Sequence, residues 1–294
     1  MRGLAVDALA RIYVASYASD TTLPTTPGAF QTALKNPGTG NSYDGFIAKF
    51  SLAPSITPGG IVPVDSTVNT IQPGEWVSIY GANLAGAPAT WTGNFPKSLG
   101  GASVTINGKS AYLWYVSPGQ INLQAPDDST TGTVPVVVTT TSGSATSTVT
   151  LAPFAPSFLL LDTKHVTGII LRFDGTGAYG GGTYDILGPT GSSLGYPTVA
   201  AKAGDSLLLF GVGFGPTSTV VAAGQAFSGA APTTKTVNVL INNVSVIPGF
   251  AGMSGAGLYQ INLILPADLG TGDVTLAASV NGVPTQSNVV ISVQ

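Results

Sequence analysis

The sequence predicts an all-β chain in which one strand plan is written twice, and three observations carry that prediction. The stretch Tyr115-Val-Ser-Pro-Gly-Gln-Ile-Asn-Leu-Gln-Ala-Pro126 returns as Leu258-Tyr-Gln-Ile-Asn-Leu-Ile-Leu-Pro266. Its neighbours return in the same order: Gly74-Glu75 with Gly204-Asp205 at an offset of 130, Val104–Asn107 with Val239–Asn242 at 135, and Gln120–Asn122 with Gln260–Asn262 and Thr131-Gly132 with Thr271-Gly272 at 140. An offset that steps only between strands is what loop insertions produce on a duplicated fold. Finally, 39 glycines and 21 prolines in 294 residues, with 8% charged side chains, suit many short strands joined by turns.

Composition also bounds the function. A chain of 294 residues is long enough for two or three domains, each with its own core. A net charge of -3 and ten scattered Lys and Arg leave no basic stripe to neutralise phosphates, which disfavours nucleic acid and anionic membrane surfaces as partners. Cysteine is absent, so disulfides, thiolate nucleophiles and sulfur-ligated metals are excluded. No apolar run approaches the ~18 residues of a membrane-spanning helix. The opening Met1-Arg-Gly-Leu-Ala-Val-Asp places an acid where an export signal needs its apolar centre, so no signal peptide is expected in the chain as written. The Thr/Ser/Gly/Asn-rich polar surface suits an extracellular or cell-surface setting.

Taken in order, residues 3–16 predict two short strands around a turn, followed by the loop Leu23–Gln31 and a third strand at Tyr43–Phe50. Ser51–Val64, with Pro54, Pro58, Gly59, Gly60 and Pro63, predicts a linker, because proline removes ladder donors and glycine favours turns. Gln72–Gly81 predicts a turn and an alternating strand with Trp76, Ser78 and Tyr80 on one face and Val77 and Ile79 on the other. Ala102–Gly108 is a strand ending in an Asn-Gly turn, from which Ser110–Val116 returns as a hairpin. Alternation there puts Tyr112 and Trp114 on one face and Leu113 and Tyr115 on the other, one pair being core. Gln120–Gln124 is the motif strand, and Thr133–Thr141 and Ala145–Leu151 close the first copy.

Within this frame two resemblances emerge. The Ala-Val-Asp opening, Tyr13-Val14, the loop Leu23–Gln31 and Asp44-Gly-Phe-Ile-Ala-Lys49 resemble one blade of the bacterial β-propeller repeat called SBBP. A lone blade cannot bury both faces, so residues 1–53 are expected to lean on the next domain or to be poorly ordered. Gly81-Ala-Asn-Leu84, Leu99–Gly108, Tyr115–Asn122 and Gly257–Asn262 resemble the Solibacter-type C-terminal domain, over residues 60–294. Each half is similar to IPT/TIG immunoglobulin-like domains, which implies two tandem immunoglobulin-like β-sandwiches at 60–154 and 155–294 and a binding or spacer role. The family offers no catalytic residues to carry over. The chain departs from it in a Gly-rich insertion at 157–200.

That insertion holds most of the side chains with chemical potential. His165 is the lone histidine; Gly191-Ser-Ser-Leu-Gly195 fits Gly-x-Ser-x-Gly with Ser193 central, and Asp162, Asp174 and Asp185 lie nearby in sequence. A hydrolase would use Ser193 as nucleophile, His165 as base and Asp162 or Asp185 to orient it. Against this, Leu187-Gly-Pro-Thr precedes the motif and Tyr196-Pro197 follows it, which is not the strand-to-helix turn of a nucleophile elbow, so a surface loop is the stronger reading. Asp127-Asp128 and Asp174 sit in turn contexts, and Glu75 and Asp205 occupy equivalent turns, which marks them as structural. No stretch has the alternating acids of a calcium loop, and neither a metal nor a cofactor is expected. The Gln and Asn of the motif share a face, where amides satisfy backbone groups at a sandwich edge.

A carbohydrate-binding module would present aromatic rings instead, with Trp91, Tyr179 and Tyr184 as its ligand-binding residues. Trp91 and Phe95, in the loop 87–96, are the expected surface contacts. The resulting expectation is a non-catalytic extracellular binding, adhesion or spacer module of a larger surface or secreted protein. Its partner would be a polysaccharide or another surface protein; the rivals are a hydrolase and a dedicated carbohydrate-binding module.

Overall fold

The computed structural model describes residues 2–7, 12–19, 25, 29–33, 43–50 and 52–294. Among them there is no helix, and every sheet pairing between named strands but one is antiparallel. Gly3–Val6, Ile12–Ala18 and Asp44–Phe50 form a three-stranded antiparallel sheet in chain order. The turn between the first two, and most of the loop at 23–31, lie outside the described residues.

Two sandwiches follow. In the first, Ser55–Pro63, Trp76–Ala82, Gln120–Gln124, Tyr112–Val116 and Ala89–Thr90 pair in that order. The facing sheet runs Lys109–Ser110, Ala102–Ile106, Gly132–Thr140, Gly143–Leu151 and Thr70–Ile71. In the second sandwich, Gly168–Leu171, Ser206–Val212, Leu258–Ile264, Phe250–Gly255 and Ser228–Pro232 repeat the first order. Opposite them, Val244–Val246, Val237–Ile241 and Gly272–Val280 repeat the second. The motif strands hold the same partners: Asn122 pairs with Ser78, and Asn262 with Leu208, which is residue 78 advanced by the offset of 130.

The alternation that predicted these strands also sorts their side chains. Val77, Ile79, Ile121 and Leu123 are fully buried between the first pair of sheets. Each contributes about 1.5–3 kcal/mol through removal of its apolar surface from water. Leu207, Leu209, Ile261 and Leu263 do the same in the second core. The Asn107-Gly108 and Asn281-Gly282 turns have positive φ at both residues (51° and 74°, 50° and 81°), the geometry that suits a tight hairpin to the twist of its strands.

Four expectations need correction. Residues 55–63 are a strand rather than a linker: a register shift between Ile56 and Ile61 absorbs Pro58 and Gly59, and the strand lies at a sheet edge, where a missing amide donor is tolerated. The 102–116 hairpin is only two residue pairs long, because the chain leaves that sheet at Ala111 and Tyr112–Val116 joins the opposite one. The motif amides occupy a central strand, not an edge, and bond to each other: Gln120 Nε2 donates to Asn122 Oδ1 at 2.8 Å and Gln260 Nε2 to Asn262 Oδ1 at 2.7 Å. The segment 157–200 is more than a surface insertion. It supplies edge strands and buries Phe158, Val166, Ile170 and Leu187 in the second core.

Candidate functional site

The sole histidine is a structural node. His165 is buried, with Nδ1 2.9 Å from Asp162 Oδ2 and Nε2 3.1 Å from Asp273 Oδ2. Asp162 also accepts the amides of Lys164 and His165, while Asp273 accepts from Lys164 Nζ at 2.7 Å and from Ser292 Oγ at 2.8 Å. Burial works to raise the Asp162 carboxyl, but the His165 and Lys164 amides and the His165 ring outweigh it and hold it at about 2. The Lys164 ammonium above all depresses Asp273, which Ser292 and His165 reinforce. The knot ties the 161–167 turn to the strands Gly272–Val280 and Val290–Val293.

Ser193 does not join it. The residue is exposed in the turn between Gly191 and Thr198, and no hydrogen bond links it to His165. Asp185 lies in a separate cluster, where Oδ2 accepts Arg172 Nε at 2.8 Å and Oδ1 accepts the Ala178 amide at 2.9 Å. Arg172 Nη1 also donates to Asp205 Oδ1 at 3.0 Å. Burial opposes the charge of this guanidinium, but the two carboxylates more than offset that and raise its pKa. With both ring nitrogens of His165 facing carboxylates and its expected nucleophile elsewhere, the proton relay of a serine hydrolase is not assembled.

Tyr179 and Tyr184 stack on each other at 6.1 Å between centroids, Tyr179 donates its hydroxyl to Pro197 O at 2.9 Å, and the Tyr184 ring lies against Gly180. One face of each ring is thus taken up by the other within their own segment, and no ring contact links them to Trp91.

Trp91 belongs to a different group. On the outward face of the first sandwich, Trp76 meets Trp91 (5.7 Å), Trp114 (5.9 Å) and Phe95 (6.4 Å); Trp91 meets Phe95 edge-on at 4.7 Å, and Phe95 meets Tyr112 at 6.5 Å. A β-bulge assembles this face. The register shifts between Leu113 and Tyr115, so Tyr115 lies opposite Asn122, on the outward side, instead of being core beside Leu113. The simple alternation expected for this strand therefore fails at Trp114. The loop is hooked to the bulged strand by Trp91 N to Trp114 O (2.9 Å) and Leu113 N to Pro96 O (2.7 Å).

One edge of the ring cluster is fixed by the second sandwich, since Trp76 Nε1 donates to Ala256 O at 2.7 Å and Gly224 N donates to Gln124 Oε1 at 2.9 Å. Further across the same joint, Gln72 Nε2 donates to the Tyr259 hydroxyl at 3.0 Å, Gly215 N donates to Gln72 Oε1 at 2.6 Å, and Tyr259 donates to Gly215 O. Burial pushes the Tyr259 phenol up to about 12. Beside it Glu75 is wholly buried, with Oε1 accepting the Gln72 amide at 2.7 Å and Oε2 without a partner. An open cleft of about 320 Å³ runs along the joint between Gln72, Asp127, Thr130, Pro216, Val220 and Tyr259.

The chain is thus an all-β protein of two tandem immunoglobulin-like sandwiches whose second-sandwich ionisable clusters are closed on themselves and whose first-sandwich rings are displayed. No family model matches it, and no curated protein does. Among solved structures it is similar to the Bacteroides ovatus mixed-linkage glucan utilization locus protein SGBP-B in complex with a mixed-linkage heptasaccharide: 12% identity, 86% of this chain, 49% of that chain, TM-score 0.34. It is also similar to the plexin A4 extracellular region (11% identity, 82% and 18% of the two chains, TM-score 0.26). The titin domains Z1Z2 in complex with telethonin match with 15% identity, 83% and 98% coverage and a TM-score of 0.21. The chain spans less than half the length of the plexin and glucan-locus structures.

Proposed function

We propose that the chain is a non-catalytic binding or adhesion module of a larger extracellular bacterial protein, in which the two sandwiches hold one aromatic face in a fixed orientation. In this reading residues 1–53 are a propeller-type blade of the SBBP kind, and 60–154 and 155–294 are IPT/TIG-like domains. One observation carries the proposal: the rings of Trp76, Trp91, Phe95, Tyr112 and Trp114 gather on one outward sheet face. The second copy of that sheet has Ser206 in the place of Trp76, and no ring contact joins its Phe210 to its Phe250. Clustered, partly exposed aromatics mark contact surfaces more often than folding requirements.

The experiment is an activity screen with chromogenic esters and glycosides on the purified chain. No turnover above buffer is expected. Turnover that Ser193→Ala abolishes at unchanged melting temperature overturns the module reading and restores the hydrolase.

A further inference from the structure

We propose that the aromatic face of the first sandwich receives a neutral, hydroxyl-rich chain, a glycan, lying across the strands from the Trp91 loop towards Tyr80. This rests on the module reading and adds the ligand class. Three features of the face define that class.

Its rings are pre-ordered. Trp76 is held by its indole N–H on Ala256 O, and the loop carrying Trp91 and Phe95 is bonded to the bulged strand at both ends. Trp114 and Tyr80 remain 38% and 41% exposed at the two sides of the sheet face. Rigid aromatic side chains lose little conformational freedom on binding, so a face of this kind gives up less of its contact energy to ordering.

Unused amides lie between the rings. Asn122 Oδ1 accepts from both Ser78 Oγ (3.0 Å) and Gln120 Nε2 (2.8 Å), which fixes both amide planes. The Asn122 NH2 and the Gln120 Oε1 have no protein partner, and both residues are only half-buried. They leave one donor group and one acceptor on the same face as the rings, a pairing that suits a molecule with apolar C–H faces and hydroxyl edges.

The face is also nearly uncharged. Trp76–Ala82, Tyr112–Val116, Gln120–Gln124 and the loop 91–96 contain no ionisable residue other than tyrosine. Among the described residues, the cation placed over a ring of this face is Lys97, 5.7 Å from the Tyr112 centroid. A strongly anionic chain would find little counter-charge there, and a cationic one would find no carboxylate on the strands and loop that carry the rings.

The test is affinity electrophoresis of the full chain through gels containing a soluble β-glucan, a xylan, a mannan, an α-glucan or, as the anionic comparison, polygalacturonate. Retardation by at least one neutral polysaccharide is expected, with Trp91→Ala and Trp114→Ala each weakening it by about tenfold or more, the loss typical of an aromatic hot spot. Tyr179→Ala should leave it unchanged. Melting temperatures equal to that of the parent chain establish that the variants fold; should Trp114→Ala melt lower, Tyr80→Ala, at an exposed site, gives the same readout. No retardation by any neutral polysaccharide, retardation by polygalacturonate alone, or retardation that survives these substitutions overturns the assignment. Self-association lost on Trp114→Ala, measured by sedimentation, would assign the face to a second copy instead. These outcomes are separate from the turnover screen, so the ligand class can fail while the module reading stands.

Discussion

Replacing Glu75 with glutamine should remove a fall in stability between acidic and alkaline pH. The carboxyl has no accessible surface, one oxygen holds the Gln72 amide, and the other has no partner. Burial therefore drives its pKa well above the ordinary value, and the single Gln72 hydrogen bond opposes this only in part. Around it stand Gln72, the Tyr259 phenol and the Gly213 backbone, whose φ of 73° and proximity to Glu75 Oε2 and Ala155 O leave no room for a side chain. None of these is a cation. Because the folded state binds the proton more tightly than the unfolded state, stability is complete below the unfolded pKa of about 4.3 and is lost as pH rises through the folded value, with a limiting slope of about 1.4 kcal/mol per pH unit. For a domain of under 100 residues that slope corresponds to roughly 6–11 °C of melting temperature per unit. The three tryptophans, Trp76, Trp91 and Trp114, all lie in the first sandwich, so urea unfolding followed by tryptophan emission reads the relevant domain. Subtracting the Glu75→Gln curve from the parent curve cancels every other titrating group, including Asp65, whose pKa burial also raises against one Leu160 amide bond. Parallel curves from pH 5 to pH 9 would refute the reasoning.

Three further outcomes follow from the second sandwich. Arg172→Ala leaves Asp185 and Asp205 buried without their cation and should cost about 3 kcal/mol or more, measured as a loss of thermal stability by circular dichroism. His165→Ala removes the link between Asp162 and Asp273 and should cost about 1–3 kcal/mol, whereas Ser193→Ala at its exposed turn should stay within about 0.5 kcal/mol, so equal effects would contradict the geometry. Asp162, held at about 2 in the fold, contributes stability that is present above the ordinary carboxylate range and is lost as pH falls through its folded value; Asp162→Asn should flatten that acid limb in urea titrations from pH 5 to pH 2.

The duplicated plan was legible because it depends on local patterns. The acid of each Gly-Asp/Glu turn caps the amide three residues before it, Glu75 on Gln72 and Asp205 on Lys202, and the apolar residues at alternate positions of the strand after it, Val77 and Ile79 or Leu207 and Leu209, are buried. The candidate site was harder to read, for reasons that lie in long-range geometry. Parity counting assumes an unbroken ladder, so one extra residue at Trp114 was enough to reverse the face assigned to Tyr115. Asp273 completes the His165 node from a strand remote in sequence, and no spacing rule connects the two. The Pro/Gly content of 55–63 reads as a linker until its partner strand shows that an edge position tolerates it.

The two equivalent acids also show why the segment 157–200 belongs to the architecture. In the second sandwich this segment brings in Gly168–Leu171 beside Ser206–Val212, with Tyr184–Ile186 outside it as the edge strand, and Arg172, the residue after Gly168–Leu171, reaches Asp205. In the first sandwich the edge strand is Ser55–Pro63, which carries no basic residue, and Glu75 is closed over by Gly213 and Tyr259 of the other half. The same turn therefore meets a counter-ion in one copy, whereas in the other it meets burial, which raises the pKa of its acid and favours the neutral form. Burial of that kind requires the second sandwich to be in place, and the same packing fixes Trp76 through Ala256 and Gln124 through Gly224. Orientation of the aromatic face and the raised pKa of Glu75 are thus two consequences of one polar joint, which links the behaviour of the surface to the integrity of the pair.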